Sequence, residues 1–164
     1  VSSAAVVDPS LLTRIANAIG RQSVVATLGL PKESGLFSKG YELCTHNART
    51  AHKLDPIAFA RHLQEAGAGE VVINSIDRDG DMKGYDIELA TQMRAALKVP
   101  LTILGGAGSL DHIGELLGAC GVIGAAAGSL FVFKGPYRAV LINYPTPQQK
   151  DALCRAALRS HSTN

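Results

Sequence analysis

Four near-continuous apolar runs, each followed by small or polar residues and then by a helical pattern, constrain this chain more than any other feature. They fall at residues 23–28 (SVVATL), 70–75 (EVVINS), 100–104 (PLTIL) and 121–127 (GVIGAAA). A strand with one wet face alternates apolar and polar side chains. Unbroken runs predict strands covered on both faces, as in a parallel sheet. The segments between them read as helices. Residues 9–19 bring Leu11, Leu12, Ile15 and Ile19 near one face, with Asp8 as N-cap and Pro9 in the first turn. Residues 55–66 repeat the pattern: Asp55 caps, Pro56 opens, and Gly67 ends the helix. Residues 86–97, 110–117 and 148–158 are further helices. Residues 159–164 read as a polar tail, which sets the predicted domain at 1–158. Residues 31–53, with Gly35, Gly40 and YELCTH, read as an elaborated loop carrying a hairpin.

Strand, loop and helix in repeated order predict parallel βα units. Two α/β architectures remain, an open doubly wound sheet and a TIM (β/α)8 barrel. Both place ligands at the carboxyl ends of their strands. Other classes are disfavoured by composition. The 46% hydrophobic and 18% charged content excludes disorder. With a net charge of +2 and no long basic run, no nucleic-acid partner is expected. No apolar run has membrane-spanning length and no signal peptide is visible, so no membrane association is expected. Three cysteines without CxxC spacing fit a reducing, cytoplasmic setting better than disulfides or zinc. The chain starts at Val1 rather than Met, which fits a fragment or a processed chain.

Three loops at the strand ends carry candidate chemistry. NSIDRDGDMKG (residues 74–84) sets Asp77, Arg78, Asp79 and Asp81 between Asn74 and Gly84. A carboxylate there, Asp79 first, can serve as general acid or base. The alternative is a solvated turn in which Asp77 pairs with Arg78 or a neighbouring arginine. GGAGS (residues 105–109) lets an anion approach backbone N–H groups ahead of a helix, or is an ordinary tight turn. AAGS (residues 126–129) repeats that chemistry after the last strand, and two successive small-residue loops are more specific than one for phosphate. Arg138 and Lys134 could meet an anion or cap the rim. The five histidines lack metal-ligand spacing, so no metal site is expected, and Cys44 and Cys120 read as packing groups.

GAGEVVINSIDRDGDMKGYD (67–86), LGGAGS (104–109) and AAGSLFVF (126–133) together resemble the cyclase subunit of imidazole glycerol phosphate synthase. VSSAAVVDPSLL at the start is similar to that family's passage from strand four into helix four. The resemblance implies a partial TIM barrel holding the end of strand four through helix eight, a family of lyase/cyclase enzymes of histidine biosynthesis, and no cofactor. The implied substrate is a bis-phosphorylated aminoimidazole-carboxamide precursor, with ammonia supplied through the barrel by a glutamine amidotransferase subunit. It implies phosphate binding at Gly80, Gly106, Gly128 and Ser129, an active-site carboxylate at Asp79, and ammonia entry past Glu70, whose structural alternative is a salt bridge. FKGPYRAVLINYP resembles a paralogous branch associated with amidation of surface-polysaccharide sugars. A non-catalytic scaffold that docks an amidotransferase is the third reading. Gly29 stands where the family's strand-five Asp is expected, and strand one, which carries the other essential Asp, is absent. Both stand against catalysis by this chain alone. Half of a closed barrel exposes strand edges and an apolar face, so self-association or pairing with a missing half is expected.

Overall fold

The apolar runs become strands of one six-stranded sheet. In chain order the elements are α1 (Ser3–Val7), α2 (Ser10–Ile19), β1 (Val25–Gly29), β2 (Leu43–Thr45), β3 (Thr50–His52), α3 (Pro56–Ala66), β4 (Glu70–Asn74), α4 (Ile87–Ala96), β5 (Leu101–Leu104), α5 (Leu110–Cys120), β6 (Gly124–Ala126), α6 (Ser129–Val132), β7 (Phe133–Lys134), β8 (Ala139–Val140) and α7 (Pro147–His161). This computed structural model describes the chain except residues 34–39, 47, 136 and 162–164. Gly35 of the predicted loop therefore lies outside the described residues.

The sheet order is β3-β2-β1-β4-β5-β6. β1, β4, β5 and β6 are parallel and adjacent in chain order. A doubly wound sheet would reverse strand order at a switch point. Here α2 packs on α3, α3 on α4, α4 on α5 and α5 on α7. The chain therefore winds in one direction, as a segment of a (β/α)8 barrel does. The predicted hairpin is β2–β3, antiparallel, with β2 set beside β1 at Gly29↔Cys44. Val1 holds the flank below it: its amine donates to Val25 O (2.6 Å), and Thr27 N donates to Val1 O (2.8 Å), a parallel bridge.

Of the two caps expected, Asp55 holds and Asp8 does not: α2 begins after Pro9 with no side-chain cap, and Asp8 instead accepts from Ser10 N (3.1 Å) and pairs with Arg14. Asp55 accepts from Ala58 N (2.6 Å), Asp86 from Leu89 N (3.2 Å), and Ser109 from His112 N (3.2 Å). Their apolar faces bury Leu12, Leu63, Leu89, Met93 and Leu116 against Ala26, Leu28, Val71, Ile73, Leu101 and Ile103 of the sheet. Each large side chain buried this way stabilises the fold by roughly 1.5–3 kcal/mol.

One expectation is corrected. The strands are not covered on both faces: Thr27, Gly29, Val72, Asn74, Thr102 and Leu104 are only half-buried, alternating with the fully buried set. The second face corresponds to a barrel's interior, which opposing strands would cover. Its side chains are small or apolar for that reason, and the sequence run looks unbroken.

Candidate functional site

Register decides where the site lies. Gly29 pairs with Asn74, Asn74 with Leu104, and Leu104 with Ala126. The four parallel strands thus end on one line, and the loops that follow them leave from the same edge. In the loop after β4, a single 3-10 turn over Ile76–Arg78 delivers Asp79 and Gly80 to that edge. Gly84 N donates to Gly106 O (2.7 Å), which ties this loop to the one after β5. Gly106 has φ 102°, and a Cβ there would fall 2.0 Å from Gly84 O, so only glycine fits.

The result is one small space lined by Asp79, Gly80, Gly106, Gly128 and Ser129, together with Leu104, Gly105, Ala107 and Ala127. Gly80 and Ser129 lie close: a Cβ on Gly80 would sit 4.0 Å from Ser129 Oγ. The space is small, about 10 Å³, room for about one water, and it is not closed over. Asp79 also faces a cavity of about 320 Å³ lined by Ser2, Ser3, Thr27, Gly29, Cys44, Thr45, His46 and Asn74. Glu70 sits at the opposite end of β4, four residues or ~13 Å from Asn74. Its Oε1 accepts from Thr102 Oγ1 (2.6 Å).

The family model for histidine biosynthesis proteins matches residues 1–137. This chain belongs to that family. A Vibrio vulnificus protein provisionally named imidazole glycerol phosphate synthase subunit hisF3 is 47% identical over 150 residues, covering 92% of this chain and 57% of the relative. A Leptospira borgpetersenii protein, provisionally named subunit HisF, is 46% identical over 155 residues, covering 93% and 59%. The HisF subunit of Clavibacter michiganensis subsp. michiganensis is 42% identical over 131 residues, covering 80% and 49%. The chain thus spans at most about 59% of the length of these relatives. For this histidine biosynthesis family member, the unclosed sheet is part of a TIM barrel.

The loop charges do not pair as the sequence suggested. Among the described residues Asp77 pairs with no arginine; its Oδ2 accepts from Lys32 N (2.6 Å). Arg78 instead faces Asp86, with Nε 3.6 Å from Asp86 Oδ2, and donates from Nη1 to Gly84 O (3.1 Å). Asp81 turns back on its own loop, accepting from Lys83 N (2.8 Å). The three carboxylates that follow this strand therefore do three different things. One anchors the segment after β1, one closes a turn, and Asp79 faces the cavity.

Sequence reasoning missed Asp86 and Asn74. Asp86 is the N-cap of α4 and has a side chain only 3% exposed. Its Oδ1 accepts from Tyr41 OH (3.0 Å), and its Oδ2 has no hydrogen bond but lies 3.6 Å from both Arg78 Nε and Lys32 Nζ. Burial, reinforced by that bond to Asp86, raises the Tyr41 phenol above its ordinary range. Asn74 Oδ1 is buried without a hydrogen-bond partner among the described residues. The period of β4 places Asn74 on the face of Glu70 and Val72 and would have found it. No local signal could have found Asp86 as a hub, because Lys32 and Tyr41 are remote in sequence. Burial raises the Cys44 and Cys120 thiols, so both are held neutral as packing groups. Among the described residues no group of three or more His, Cys, Asp or Glu could hold a metal, and no helix is long and apolar enough to cross a membrane.

Proposed function

We propose that this chain is part of a cyclase-type subunit of imidazole glycerol phosphate synthase, binding a phosphorylated ligand through Gly80, Gly106, Gly128 and Ser129 with Asp79 as its acid–base group. The observation that carries the reading is convergence: five residues, spread from position 79 to 129, line one space at the carboxyl edge of the parallel strands. In this reading the substrate is the bis-phosphorylated aminoimidazole-carboxamide precursor. Ammonia comes from a glutamine amidotransferase docked at the Glu70 pole, and the remaining strands of the barrel come from a longer chain or a second copy.

Gly29 favours a second reading. A Cβ at Gly29 would fall 2.9 Å from Ile76 Cδ1, so a carboxylate at this strand end requires Ile76 to move. Acid–base chemistry that needs two carboxylates across the mouth loses one of them here. This supports a paralogue that passes ammonia toward sugar amidation, or a docking scaffold, with phosphate binding retained.

The experiment is a titration of the isotopically labelled chain with the aminoimidazole precursor, followed by substrate loss in ammonium salt at high pH. Amide shifts centred on Gly80, Gly106 and Ser129 without turnover are expected. Shifts centred elsewhere would sink the phosphate site. Turnover lost on Asp79→Asn would show that Gly29 does not disable the chemistry.

A further inference from the structure

We infer that Arg138, carried by the β7–β8 hairpin, is the cation that meets the outer oxygens of a phosphate held at Gly80, Gly106 and Ser129. The inference rests on the phosphate reading above and adds a residue that small-residue loops cannot supply.

The space between the loops is small, about 10 Å³, and not closed over, so a phosphate would seat there with only part of its surface. Its remaining oxygens point outward and must be met from outside the ring of loops. Arg138 reaches the loop that carries Gly80. Its Nη2 donates to Gly80 O (2.9 Å) and lies 3.5 Å from Met82 Sδ, although Gly80 is 58 positions away in sequence. Its guanidinium lies 5.3 Å from the centre of the Phe133 ring, a cation–π contact that helps hold the side chain over this edge. The backbone of Arg138 has φ 49°, the left-handed conformation that ends the β7–β8 turn, where Arg138 N donates to Gly135 O (3.1 Å).

The partners of Arg138 described here are neutral. Those of the cations in the loop after β4 are not: Arg78 faces the Asp86 carboxylate, and Lys83 Nζ lies 3.9 Å from Asp81. A guanidinium has five N–H donors in a planar fork, and an ionised oxygen is a stronger acceptor than a carbonyl. Nη2 can stay on Gly80 while Nη1 and Nε turn to the anion. The loops would then select by shape and backbone N–H groups, and Arg138 would supply the charge that makes a phosphate outcompete a neutral hydroxyl ligand.

The test is an amide-shift titration of the full 164-residue chain with inorganic phosphate, on the wild type and on Arg138→Gln, Arg138→Lys, Ser129→Ala and Arg14→Gln. Arg14 is exposed and pairs with Asp8 away from the site, so its variant reports nonspecific charge. Wild-type shifts should centre on Gly80, Gly106 and Ser129. Arg138→Gln should weaken binding by about tenfold or more, and Arg138→Lys by less, as expected when a charge-assisted hydrogen bond is lost. Arg14→Gln should bind as the wild type does, and added salt should weaken the wild type more than Arg138→Gln. If Arg138→Gln binds within twofold of the wild type while the shifts stay on the three loops, the role of Arg138 is overturned and the phosphate site stands. If phosphate shifts other residues, or none, or if Ser129→Ala changes nothing, the phosphate reading fails and this inference fails with it.

Discussion

Replacing Asp86 should unfasten the loop that carries Asp79, and the size of the effect can be worked from its contacts. Asp86→Ala removes the N-cap of α4, a loss of ~1 kcal/mol. It also leaves the Tyr41 hydroxyl buried without its acceptor, which costs about 1–3 kcal/mol. Arg78 and Lys32 lose a partner, but their side chains are 33% and 52% exposed, so water recovers most of that interaction and it adds at most about 1 kcal/mol. Together these predict a destabilisation of about 2–5 kcal/mol. Asp86→Asn keeps an oxygen for Leu89 N and Tyr41 OH and should cost less than half as much. Tyr41→Phe should cost about 1 kcal/mol alone and lessen the damage of Asp86→Ala, because no hydroxyl is then orphaned. Urea unfolding followed by far-ultraviolet circular dichroism, at one fixed protein concentration, measures the wild type, the three single variants and the Asp86→Ala/Tyr41→Phe double variant. An Asp86→Ala cost under about 0.5 kcal/mol, or strict additivity with Tyr41→Phe, would refute the argument that this carboxylate joins the segment after β1 to the loop after β4.

Gly106→Ala should destabilise the chain strongly, by about 2 kcal/mol or more, because its Cβ would strike Gly84 O at 2.0 Å and its φ is 102°. Gly128→Ala, where a Cβ meets nothing within 4 Å, should leave the unfolding midpoint within error. Burial raises Tyr85 from 10.0 to about 12, so the folded state favours the neutral phenol. The stability this gives is complete below pH 10 and is lost as pH rises through 12, at most about 2–3 kcal/mol. Unfolding free energies measured from pH 9 to 12 should therefore fall less steeply in Tyr85→Phe than in the wild type. The isolated chain should self-associate, because β6 ends the sheet unpaired on one side and Tyr137, Val140, Leu141, Ile142 and Tyr144 are exposed; a single monomeric mass by light scattering across micromolar concentrations would count against this.

Some of this architecture was fixed by local chemistry. The helices begin at Asp55, Asp86 and Ser109 because those side chains satisfy backbone N–H groups within three residues, which any reader of the chain can count. The parallel strands follow from apolar runs separated by helices. The loop motifs stand at strand ends because the strands stop at Asn74, Leu104 and Ala126, within three residues of where DRDG, GGAGS and AAGS begin. Three things depended on tertiary structure. Open and closed α/β sheets share the same local pattern, and only the winding of β1, β4, β5 and β6 with one packed helical layer separated them. Asp79, Gly80, Gly106, Gly128 and Ser129 became one site only through the register that aligns Gly29, Asn74, Leu104 and Ala126. The bonds of Asp77 to Lys32, of Asp86 to Tyr41 and of Arg138 to Gly80 each span 45 or more positions. Capping and periodicity act over a few residues and so are written in the sequence. A charge chooses its partner by distance in space, and for these groups that distance is set by the packed sheet.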